Sequence, residues 1–97
     1  MSVNVKDHGE GVISVCDTNL LGKHLEEGEL SFKVSEFFYK GEEMSAKEAG
    51  RYMLAARHLN LLGEKSIAEA KRLKLVEESG IMMIANVPHA QVYTIEQ

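Results

Sequence analysis

Cys16 and His89 are the two residues of this chain whose types suit a nucleophile and its base, each set where an apolar run meets polar residues. Asp17 or Asn86 would then orient the imidazole. A lone cysteine on an apolar strand is, however, more often a small core hydrophobe than a nucleophile. The residues favour a second chemistry without covalent steps. Asn60, Glu64, Asn86, His89 and Gln91 are polar side chains at expected junctions between elements, where binding groups gather and unpaired backbone is also satisfied. His8, His24, His58 and His89 lack the short spacings of a metal site, and Gly9 and Gly11 precede a strand rather than bridging a strand to a helix. Neither a metal nor a cofactor is expected.

The elements that must position these side chains follow from the apolar pattern. Val12 to Cys16 is a β-branched run between glycines and the turn residues Asp17, Thr18 and Asn19, and reads as a buried strand. Leu20 and Leu21 suggest a hairpin return. Leu30, Phe32 and Val34 alternate with polar residues, the period of a strand with one wet face. Ser45 and Glu48 form the sequence signature of a capping box, which opens a helix expected over Ala46 to about Leu59 with the stripe Ala49, Tyr52, Met53, Ala56 and Leu59. Asn60 to Gly63 then reads as a short connection. A second helix is expected from Glu64 to Leu73, with acidic charge first and basic charge last, as the helix dipole prefers. Ile81 to Val87 reads as a central strand, and Gln91 to Ile95 as its neighbour. Pro88 stands between them as a forced break that sets His89 at an accessible junction. The fold class expected is α+β: a small mixed or antiparallel sheet with two helices packed on one face.

Composition narrows the function. A chain of 97 residues with 44% hydrophobic and 27% charged residues is expected to make one domain, with residues 1–10 as a flexible lead-in. Its net charge of −4 disfavours non-specific nucleic-acid binding, leaving only local basic groups such as Lys47, Arg51, Arg57, Lys65, Lys71, Arg72 and Lys74. Tyr52 and Phe37 to Tyr39 are possible stacking partners for bases, and Met44, Met53, Met82 and Met83 an adaptable patch for a protein. A single cysteine forms no intrachain disulfide and suits a reducing cytosol. No apolar run is long enough to span a bilayer.

Several blocks recur together in order: Cys16 and Asp17 with Leu20 to Lys23; Glu26 to Gly28; Phe38 and Tyr39 with Gly41 and Glu42; Asn60 to Glu64; and Val87 to Val92. In these blocks the chain resembles a small archaeal family known as domain of unknown function number 424, from about Val12 to Ile95. The resemblance implies an archaeal, cytosolic, single-domain protein with no established activity, associated with translation and RNA-handling genes. The expectation is therefore a non-enzymatic binding module, monomeric or a small homo-oligomer. Its expected partner is protein or RNA of the translation or RNA-processing apparatus. A small thiol-dependent enzyme using Cys16, Asp17 and His89 is the alternative.

Overall fold

The computed structural model describes residues 2–94. Six strands form one mixed sheet in the order β5-β1-β2-β6-β8-β7, and β3 and β4 form a separate hairpin. The chain opens with β1 (Val3–Gly9), which turns at Glu10 into β2 (Val12–Asp17). The segment expected as a flexible lead-in is thus a sheet strand. Val3 and Val5 alternate with Asn4 and Lys6 and are buried, and Asn4 on the other face is also buried, donating to the Thr18 hydroxyl and accepting the Gly41 N–H.

From β2 the chain passes a 3-10 turn (Thr18–Leu20), not the return strand expected at Leu20 and Leu21. It then builds β3 (His24–Glu27), β4 (Leu30–Lys33) and the one-turn helix α1 (Glu36–Tyr39), capped by the Ser35 hydroxyl. Strand β5 (Glu42–Met44) reaches the far edge of the sheet beside β1. Helix α2 (Ala46–Ala55) opens with the expected capping box, Ser45 and Glu48 each satisfying the other's backbone N–H. It ends a full turn before Leu59, because His58–Leu62 is strand β6, parallel to β2. Asn60, Leu61 and Leu62 therefore lie in the centre of the sheet, not in a connection.

Helix α3 (Glu64–Arg72) starts at Gly63, whose φ of +112° favours glycine. A Cβ there would lie 2.3 Å from Cγ of Asp17. That carboxylate fills the space and caps the helix from a neighbouring strand, accepting the backbone N–H groups of Lys65 and Ser66 and the Ser66 hydroxyl at 2.8–2.9 Å.

The break in the last apolar run is at Ala85 and Asn86, not at Pro88. Both turn residues have positive φ, 50° and 67°, and join β7 (Met82–Ile84) to β8 (Val87–Tyr93) as a two-residue hairpin. Pro88 lies within β8 opposite Met83, while its carbonyl accepts the Gly63 N–H. The hairpin makes Ile84 and Val87 the hydrogen-bonded pair, so position 88 needs no N–H toward β7. On its other side β6 has already turned into α3. The segment expected as a central strand is instead an edge strand and its turn; β2 and β6 are the central pair.

Alternation divides the sheet into two faces. Val3, Val5, Ile13, Val15, Leu59, Leu61 and Ala90 pack against Ala49, Met53, Ile67 and Ala70 of α2 and α3. These two helices cover one face, as expected. On the other face Cys16 and Leu62 are covered by Leu20, Leu25, Val34 and Tyr39 from the β3–β4 hairpin and its flanks. Asn4, Ser14 and Asn60 on this face are also buried, so the part left open is that around His8, His58, Gln91 and Tyr93, which are exposed or half-buried.

Candidate functional site: the open half of the sheet

The partly open face is laid out by cross-strand register. Ser14 of β2, itself fully buried, stands beside Asn60 of β6, Asn60 beside Gln91 of β8, and two residues before Asn60 on β6 His58 stands beside Tyr93. Thr94 N–H donates to the Arg57 carbonyl and Gly63 N–H to the Pro88 carbonyl, which places Asn60 and Gln91 at a non-hydrogen-bonded pair, where side chains approach most closely.

Two stacks flank this polar floor. His58 and Tyr93 lie nearly parallel with ring centroids 4.3 Å apart, and His8 lies on Phe38 at 4.5 Å. The Ser14 hydroxyl donates to the Phe38 carbonyl at 3.2 Å, so the His8 Nε2 within 3.1 Å of it must carry the proton and donate. Likewise Gln91 Oε1 accepts the Tyr93 hydroxyl at 2.9 Å, with His58 Nε2 3.4 Å away. The Gln91 amide nitrogen is left outward with both its protons. Asn60 is 7% exposed, and among the described residues no side-chain nitrogen or oxygen is both fully enclosed and unpaired.

His89 lies on the same face, half-buried, beside Leu62 and Met82. Burial holds its pKa below the ordinary 6.5 and keeps it neutral. His8 is also lowered, by burial and then by Lys6.

The structure brings Asn60, His89 and Gln91 to one face but separates them from Glu64 and Asn86. Those two, with Asp17, line a niche of about 60 Å³ at the start of α3, where the Asp17 carboxylate is already engaged with the helix. Cys16 and His89 are not brought together. Leu62 stands between them, so their strands are roughly 9.5 Å apart. Cys16 is fully enclosed and its thiol is pushed up to about 12, by burial first and by Asp17 second, so the nucleophilic thiolate is suppressed. Asp17 cannot orient the imidazole, because its side chain points to the helix face. Among the described residues no group of three or more His, Cys, Asp or Glu side chains is placed to hold a metal.

Lys47, Arg51, Lys65, Lys71 and Arg72 belong to α2 and α3, on the far side of the sheet. Arg72 is tied to Glu69 at 2.6 and 3.1 Å, and Lys71 to Glu78. Lys6 is the cation on the open side, its ammonium 4.7 Å over the Phe37 ring. His8, His58 and Tyr93 were not singled out by sequence as part of this site. Their signal is the alternation His58-x-Asn60 and His89-x-Gln91-x-Tyr93, which becomes visible once 58–62 is read as a strand.

A mixed sheet with one face buried under two helices and the other partly open, with the exposed Gln91 amide between ring stacks, defines a small α+β domain with a partly exposed sheet platform. The chain belongs to the family described as "Protein of unknown function (DUF424)", whose model matches residues 5–95. It is similar to the crystal structure of an uncharacterized conserved protein from Methanopyrus kandleri, at 27% identity and a TM-score of 0.84, over 100% of this chain and 97% of that one. No curated protein matches the chain. Among the described residues no helix is long and apolar enough to cross a membrane.

Proposed function

We propose that the protein is a non-enzymatic binding module of the archaeal cytosol that captures single-stranded RNA of the translation or RNA-processing apparatus on the open sheet platform. The observation that carries this reading is the exposed Gln91 amide, held beside Asn60 between the His8–Phe38 and His58–Tyr93 stacks. A nucleobase offers what that floor lacks. Its edge presents donors and acceptors to a side-chain amide, and its faces stack on aromatic rings.

The acidic net charge and the position of most cations on the far side make this a base-led contact with few phosphate interactions. Binding should then weaken only shallowly with added salt. The test is fluorescence anisotropy with labelled single-stranded RNA of about eight nucleotides, the span of one small binding face. Tyr93→Ala should weaken binding by about tenfold, the worth of one stacked base. Absence of binding by the native protein at about 100 μM, a free energy near −5.5 kcal/mol, would overturn the reading. So would equal affinity of the native protein and Tyr93→Ala. Ribonuclease treatment should likewise release partners captured from an archaeal lysate.

A further inference from the structure

Strand β8 is longer than the strand that borders it. Its outer neighbour β7 ends at Met82, opposite His89, while β8 continues to Tyr93. The direction of the exposed backbone is fixed by two bonds on the other side. Pro88 accepts from Gly63 and Thr94 donates to Arg57, so the even-numbered residues 88–94 point their main-chain groups toward β6. Gln91 and Tyr93 therefore point theirs outward, past the end of β7. Among the described residues no backbone group pairs with them there. They open into a groove of about 540 Å³ between β8 and the chain that follows α3, lined by Lys71, Lys74, Val76, Glu77, Gln91 and Tyr93 among others.

We infer that this notch is a strand-addition site, in which an extended peptide segment of a protein partner continues the line of β7 and pairs with the main chain of Gln91 and Tyr93. An unpaired strand edge is a ready template for such pairing, and main-chain hydrogen bonds supply affinity largely independent of sequence. The groove also states side-chain preferences. A residue opposite Val92 would point to the helix side, where Leu75 and Val76 pack against the core and offer an apolar seat. A residue two positions away shares that side and reaches the lysines. Lys71 is engaged by Glu78, whereas Lys74 has no carboxylate within salt-bridge distance among the described residues. The occupant is therefore an extended segment with an apolar side chain and an acidic one two positions apart. This site shares Gln91 and Tyr93 with the RNA platform but stands without it, since it uses their main chain at the edge of β8 rather than their side chains on its face.

The test is backbone amide exchange and chemical-shift mapping by NMR on the full chain, with the blocked peptide acetyl-Thr-Val-Thr-Glu-Thr-Val-amide as probe. In the free protein the Gln91 and Tyr93 amides should exchange fast while Ala90 and Val92 are protected. Millimolar probe should slow exchange at Gln91 and Tyr93 at least about tenfold. The same peptide N-methylated at alternate residues, on the edge that faces β8, should not. Lys74→Glu should weaken the probe about fivefold, and because Lys74 is exposed and unpaired this change leaves the fold intact. Four results would overturn the inference. They are Gln91 and Tyr93 amides protected in the free monomer, the same protection arising from self-association, no shift with millimolar probe, and protection conferred by single-stranded RNA in place of peptide. The RNA platform can fail its own test while this one succeeds, because Tyr93→Ala keeps the main-chain groups that the peptide would use.

Discussion

The two faces of the sheet are built from the same strands and differ in nearly everything else. On β6, Leu59 and Leu61 are sealed under α2 and α3, whereas the alternate residues His58 and Asn60 lie on the other face, His58 half-buried at its open part and Asn60 buried beside the exposed Gln91. The covered face is continuous and apolar. The other is apolar where the β3–β4 hairpin lies across Cys16 and Leu62. The contrast teaches that stability and recognition are separated here by one residue of parity rather than by distance along the chain, so neighbouring substitutions should have opposite consequences.

The sharpest break comes at the seam of the covered face. Gly63→Ala places a methyl group onto the Asp17 carboxylate at a backbone angle alanine resists, and should destabilise the fold by at least about 3 kcal/mol in urea titration. Leu61→Ala, also under the helices, should lose about 2–5 kcal/mol with the cavity it leaves. On the open half the same measurement should read near zero. Gln91→Ala truncates an exposed side chain, so stability should stay within about 1 kcal/mol while RNA affinity falls. A clear loss of stability in that variant would give Gln91 a structural role and collapse the contrast.

A smaller effect is expected from pH. His89 has its folded-state pKa below 6.5 because burial disfavours the imidazolium, so the unfolded chain takes up the proton first as pH falls. Its contribution to stability is whole above pH 6.5 and is lost progressively as pH falls toward and through the folded-state value. His89→Gln should flatten the urea midpoint between about pH 7 and pH 5, leaving the slope due to His8. The least change of all is predicted at Cys16. Iodoacetamide should leave the native thiol unmodified and react only on unfolding. Fast native alkylation would show that the hairpin cover is open.

The difference between the faces also explains what was legible in the sequence. Elements that bury a regular stripe were readable: β2 from its β-branched run, α2 from Ser45 and Glu48, and α3 from its charges and the spacing of Ile67 and Ala70. Strand β6 was hidden because Leu59 continues the helical spacing of Ala49, Met53 and Ala56, so the change to a period of two passed unnoticed. Strand β1 was hidden because its alternate residues are polar, and the β7–β8 turn because alanine and asparagine, not glycine, adopt the left-handed angles. Of the platform, Asn60, His89 and Gln91 stood out as polar residues in apolar runs. Their partners His8, His58 and Tyr93 did not, since only cross-strand register brings them together.

Helix α3 borrows its cap from Asp17, which lies 48 and 49 residues before the amides it receives. Its first turn therefore cannot be completed by local chain alone. It must wait until β2 and β6 have found their parallel alignment across everything between residues 18 and 57. Nucleation of this helix and closure of a long loop become one kinetic step, and Asp17→Ala should slow refolding as well as speed unfolding.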